Sequence, residues 1–230
     1  MFLTTLLQIT MNQPNADSVE AGKITLSALD LAIKGGWVMI VLALLFVIAV
    51  YIFFERYRTL RNASKEDTNF MNRIKDYIHE GKIESASALC QSTDNPVARM
   101  IEKGISRLGR PLNDINTTIE NIGNLETAKM EKGLPTLATI SGGAPMIGFL
   151  GTVIGMIRAF YDMASAGNNI DVQLLANGIY TAMVTTVGGL IVGILAYFAY
   201  NYLVARVEKV VYKMEARTTE FMDLLNEPVN

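Results

Sequence analysis

The sequence predicts an all-α integral membrane protein with three transmembrane helices and long helical cytoplasmic extensions. Three observations lead there. Charged residues make up only 18% of the 230-residue chain, against about 25% in soluble domains. The deficit is concentrated: residues 35–54, 133–157 and 172–205 contain no Asp, Glu, His, Lys or Arg over 20, 25 and 34 residues. About 20 apolar residues suffice for a helix to cross a hydrocarbon core of about 30 Å. Finally, Lys and Arg collect beside one set of span ends, which orients the spans.

Residues 1–34 form an outer segment. Its start, MFLTTLLQITM, is too short to span, lacks a basic flank and has no small-residue cleavage site, so it reads as retained. Residues 24–33 have the pattern of an amphipathic helix lying at the interface. The first transmembrane helix, 35–54, is bulky and apolar over 38–54, which suits a lipid-facing position, and Trp37 is its outer anchor. Arg56, Arg58, Arg61 and Lys65 follow it, Lys129 and Lys132 precede the second span, and Arg206, Lys209 and Lys213 follow the third. The 161–171 connection has no Lys or Arg, and its one near cation, Arg158, is offset by Asp162 and Asp171. The N-terminus and that loop therefore face outward, and 55–132 and the C-terminus face the cytoplasm.

The cytoplasmic insert, 55–132, reads as helical. Ser64 is the expected N-cap of a helix whose stripe is Phe70, Ile74, Tyr77 and Ile78, stopped by Gly81. A short helix follows over 83–91, then a turn at Asp94, Asn95 and Pro96. The next helix runs from Pro96 to Leu108 and stops at Gly109-Arg110-Pro111. A longer amphipathic helix carries Ile115, Ile119, Ile122 and Leu125 toward the membrane. Pro135 belongs near the start of the second transmembrane helix, 133–160, and Arg158 near its outer end. The third, 172–205, extends about 51 Å at 1.5 Å per residue, so it projects into the cytoplasm and continues through a C-terminal helix, 206–230.

The second span contains Ser141, Pro145, Gly148, Thr152 and Gly155 at 4-3-4-3 spacing, which puts them on one helix face. In the third, Gly178, Ala182, Thr185 or Thr186, Gly189 and Gly193 recur at helical spacing. Small residues let helices approach closely in lipid, so tight packing of spans two and three is the plain reading. Thr152, Thr181, Thr185 and Thr186 can all satisfy their hydroxyls on the preceding turn. The sharper reading is that they line an ion pathway.

The stretch GGAPMIGFLGTVIGMI at 142–157 is similar to the AP-x-x-G-L-x-GTV-x-G signature of the MotA/TolQ/ExbB proton-channel family. The stretch GIYTAMVTTVGGLIVGILAYFAYN at 178–201 resembles that family's last span. Three spans with a large insert after the first match the ExbB/TolQ branch. The resemblance implies a homo-oligomeric, pentameric barrel around the single-span helices of an ExbD/TolR-like partner, with a TonB-like protein alongside. It implies proton flow, with Na⁺ as the alternative ion, along a polar ring to which Thr152 and Thr186 belong. Two positions depart from the family: Thr181 stands where a glutamate is usual, and Leu195 where a proline is usual. Proton movement needs a titratable group within the membrane, and the uncharged runs of these spans contain no Asp, Glu, His, Lys or Arg, so the acid has to come from the partner, as an intramembrane Asp.

Other classes fit poorly. A phosphate loop would end in Gly-Lys-Ser/Thr, which 142–157 does not. An intramembrane protease needs paired acids, a Ser–His arrangement or a zinc motif; Ser141 has no base on its span. Cys90 and His79 are single, so neither a disulfide framework nor a metal site is expected, and no motif calls for a cofactor. A net charge of −2 without a basic stripe gives no footprint for nucleic acid. A membrane scaffold subunit that passes no ions is one competing reading; within the family, support of TonB-type uptake is favoured, with Tol-type envelope maintenance and gliding or secretion motors as the alternatives.

Overall fold

The computed structural model describes residues 35–64, 69–165 and 172–226. Among them are seven helices and no strand: α1 (Gly36–Ala63), α2 (Phe70–His79), α3 (Ile83–Ser92), α4 (Pro96–Ile105), α5 (Leu112–Glu131), α6 (Leu134–Ser165) and α7 (Val172–Asn226). Three segments are long and apolar enough to cross a membrane: α1, the α6 part of 112–165, and α7. The expected interfacial helix at 24–33 lies outside the described residues.

The small helices of the insert follow local punctuation. Gly81 takes φ +70°, and its N–H donates to the Ile78 carbonyl at 3.1 Å while Lys82 N–H reaches Tyr77 O at 2.8 Å, which closes α2. Asn95 caps α4 by accepting the Ala98 N–H at 2.6 Å, with Pro96 in the first turn, where its missing N–H costs nothing. Gly109 at φ +89° then turns the chain toward α5.

Several expectations change. Ser64 closes α1, with its N–H on Leu60 O, and α2 begins after Asn69, so Ser64 is not the cap of α2. α4 ends at Ile105, not Leu108. On α5 the buried residues are Ile115, Ile119, Gly123, Glu126 and Met130, and Leu125 is exposed. Leu125 is six residues past Ile119, about 240° round a helix of 3.6 residues per turn, and so leaves the stripe. α6 runs on to Ser165, which puts Arg158 within the helix rather than at its end.

A core outside the spans joins α2, α4, α5 and the far part of α7. Phe70, Ile74, Ile101, Ile119, Leu203 and Phe221 are fully or almost fully buried in one cluster. α7 belongs to both layers: 55 residues, about 80 Å at 1.5 Å per residue, unite membrane span and small-helix bundle in one rod. α5 and α6 are separated only by Lys132 and Gly133, the latter at φ +85°. In the membrane layer α6 and α7 pack along their length and α1 lies against both. The outer face of α1, with Ile40, Leu44, Val47 and Tyr51, is exposed and apolar. Cys90 is buried between insert helices, and burial, helped by the Glu102 charge, pushes its thiol up to about 12, so it is an unreactive core residue.

Candidate ion-pathway face on α6 and α7

The two helices touch through their backbones because the contact positions carry no side chain. A Cβ on Gly189 would lie 2.6 Å from Ala144 O and 2.8 Å from Gly148 Cα; one on Gly148 would lie 2.8 Å from Thr185 O. Gly155 meets Ala182, Gly178 meets Ala159, and Gly193 meets Pro145 and the Ser141 carbonyl. Ser141 bonds the preceding turn at Ala138 O, 2.7 Å. The expected small-residue faces of both spans thus meet each other. The seam of α6 is centred on Ala144, Gly148, Gly151, Gly155 and Ala159, with Ser141, Pro145 and Thr152 along its edge. Gly151 had not been singled out in the sequence, and it receives the Thr185 side chain. Its signal was present in the spacing 144, 148, 151, 155, one register over from the threonine-bearing series.

The four threonines separate. Thr185 is 1% exposed and turns into the seam, donating to Ala182 O at 2.8 Å. Thr152 and Thr186 meet at the edge, their hydroxyls hydrogen-bonded to one another. Each also lies 3.3 Å from the Gly148 carbonyl. A hydroxyl has one proton and two acceptor lone pairs, so this pair keeps acceptor capacity after its own protons are placed. Such a site can receive a hydrogen bond from a neutral acid, and it can donate one to the anion by releasing the long bond to the Gly148 carbonyl. Thr181 is half-buried and, five residues before Thr186, sits about 140° round the helix from it, away from the pair.

The pair faces away from α1. A Cβ on Gly188 would lie 3.0 Å from Met39 Sδ and 3.6 Å from Leu42 Cδ1, which marks the side of α7 that α1 covers. Thr186, two residues away, is about 200° round from that side. Around the pair, Phe149, Met183, Leu190 and Tyr197 are exposed. The site is therefore a small polar spot on an apolar face that no helix among the described residues covers. It contains no acid, base or thiol, and can orient a proton-bearing group without taking up a proton itself.

A sequence model described as the MotA/TolQ/ExbB proton channel family matches residues 92–216. The chain is 30% identical over 218 residues to the Tol-Pal system protein TolQ of Haemophilus influenzae, covering 87% of this chain and 94% of that one. It is 27% identical over 204 residues to TolQ of Pseudomonas aeruginosa, covering 84% and 88%. It is 28% identical over 190 residues to a putative biopolymer transport protein ExbB homologue of Methanothermobacter thermautotrophicus, covering 82% and 67%. With three helices able to span a membrane and a family match across more than half its length, the chain belongs to the MotA/TolQ/ExbB proton channel family, within its ExbB/TolQ branch.

Proposed function

We propose that the chain is the wall subunit of an inner-membrane motor driven by the proton-motive force, supporting TonB-dependent uptake across the outer membrane in the manner of ExbB. The observation that carries this reading is the Thr152–Thr186 hydroxyl pair on a face that α1 leaves open, within apolar runs that lack Asp, Glu, His, Lys and Arg. The wall is a homo-oligomer, a pentamer, whose α6–α7 faces surround the single-span helix of an ExbD/TolR-like partner. That partner's intramembrane Asp carries the proton. The threonine pair hydrogen-bonds the acid in both of its protonation states and so guides its movement past the wall. The N-terminus is periplasmic, and the insert and C-terminus are cytoplasmic. A TonB-like protein receives the motion.

The test is proton flux into liposomes containing the chain together with its single-span partner. Thr186→Val and Thr152→Val keep the side-chain shape and remove the hydroxyl. Each is expected to lower flux about tenfold, the effect of one hydrogen bond worth about 1.4 kcal/mol, with assembly unchanged. Undiminished flux in both variants would return the chain to the scaffold reading.

A second reading is a TolQ-like role in envelope maintenance, favoured by the near full-length match to the Haemophilus influenzae TolQ. Deleting the gene separates the two. Loss of TonB-dependent substrate uptake with an intact envelope supports the first, and leakage of periplasmic contents supports the second.

A further inference from the structure

On the side of α7 opposite the threonine pair, an apolar groove of about 610 Å³ opens between α1 and α7. It extends from Phe46 to Tyr57 on α1 and from Val192 to Tyr202 on α7. That is about 15 Å along each helix at 1.5 Å per residue, half of a hydrocarbon core of about 30 Å. Leu195 in its wall is nine residues from Thr186, a half-turn round the helix, so the groove and the candidate ion pathway do not overlap. Ala49, Ala196 and Ala199 leave the space, and aromatic rings close one end: Tyr202 lies 6.2 Å from Phe53 and 6.3 Å from Tyr57, between ring centroids.

That end is also where charge begins. The stripe through Tyr202 continues four and seven residues on as Arg206 and Lys209, and the stripe through Phe54 and Tyr57 continues as Arg58 and Arg61. All four cations are exposed. Arg206 is fixed at the mouth, its guanidinium 5.3 Å from the Tyr202 ring centroid and Nη2 donating to the Tyr202 hydroxyl at 2.9 Å. The nearest acid on α1, Glu55, is engaged by Arg56 at 2.6 Å, and Glu208 lies about 200° round from Arg206.

We infer that this groove holds one anionic glycerophospholipid from the leaflet on the basic side. An acyl chain lies against Leu195 and Ala199, and the phosphate sits at the collar of Arg58, Arg61, Arg206 and Lys209. The depth matches one leaflet, the lining matches hydrocarbon, and the collar matches a phosphate diester, as in basic pockets at membrane span ends. A second copy of the same face would bring the same four cations to the same depth, where they repel.

The experiment uses the full chain in its native oligomer, equilibrated in bilayers of equal parts phosphatidylglycerol and phosphatidylcholine. Bound lipid is then counted by native mass spectrometry after transfer to mild detergent. Wild type is expected to retain phosphatidylglycerol in preference. Arg206→Gln with Lys209→Gln is expected to reduce that preference about thirtyfold, in line with about 1 kcal/mol per cation near an anionic surface. Leu195→Trp, which fills the groove, is expected to lose both lipids while oligomer mass and helix content are kept. Equal retention of the two lipids by wild type overturns the inference. So does phosphatidylglycerol retention that neither variant changes, the result of a helix in the groove or of a non-specific lipid annulus. Where Leu195→Trp does not assemble, the charge variant decides alone, since its side chains are exposed.

Discussion

Gly142 and Gly189 sit in neighbouring spans and meet different surroundings. A Cβ on Gly189 runs into backbone on α6, while one on Gly142, or on Gly143, finds nothing within 4 Å. Gly189→Ala is therefore expected to force α6 and α7 apart at a cost of about 2 kcal/mol. At 2–4 °C per kcal/mol for a chain of this size, Tm falls by roughly 4–8 °C. Gly142→Ala is expected to leave the single chain as stable or slightly more so, because alanine is the better helix former by about 1 kcal/mol. Thermal loss of helix content in detergent checks both, and a Gly142→Ala variant that lost as much as Gly189→Ala would contradict the packing described. The sequence carried the identity of the small residues but not which of them are filled, because that depends on the rotation of the facing helix. The same holds for Thr185 and Thr186. Adjacent residues differ by about 100° on a helix, and only the docked α6 decides that one enters the seam and the other its edge.

Among the elements, α4 and α5 are held together by an ion network that the sequence did not reveal. Glu126 is buried and receives Arg99 Nη2 at 2.6 Å and Lys129 Nζ at 2.7 Å; Arg99 also reaches Asp94 at 2.6 Å. Arg56 on α1 donates to the Lys129 carbonyl at 3.1 Å, tying the network to the end of the first span. A lone Glu in a polar helix reads as solvated, and its burial follows only from where α4 lies. Burial alone would push the Glu126 carboxyl up, but the hydrogen bonds from Arg99 and Lys129 outweigh that and hold it below the ordinary carboxylate range. Its contribution is therefore complete above the unfolded glutamate value of about 4.3 and is lost as pH falls through the lowered folded value. Glu126→Ala is expected to destabilise the insert by about 2 kcal/mol at neutral pH. The variant should also show a weaker acid dependence of unfolding than wild type between about pH 5 and pH 2. Parallel pH profiles for the two would remove Glu126 from this role. By contrast, the end of α2 and the start of α4 were legible, since Gly81, Asn95 and Pro96 act through their own backbone and do not depend on distant partners.

For the whole molecule, the three spans were readable because excluding charge from hydrocarbon leaves a mark in composition alone. The long third helix was readable for the same reason, as its apolar run exceeds any bilayer. The sharp break between α5 and α6 was not, because Lys132 and Gly133 look like ordinary residues at a membrane border. Gly133 takes a left-handed conformation against Ile52 and Arg56, one that costs an L-residue about 1–2 kcal/mol. Gly133→Ala is thus expected to destabilise the chain by about that amount, or to straighten the junction, and spin-label distances between α5 and α6 would report which. Set beside α7, this break means that the two connections between the membrane layer and the bundle of small helices differ in stiffness. α7 is one unbroken helix that reaches Phe221 in the bundle's core, so a turn or tilt of its membrane part is expected to be felt there. At the α5–α6 junction a two-residue break interrupts the helical hydrogen bonding, so the second span is expected to follow such a movement less closely.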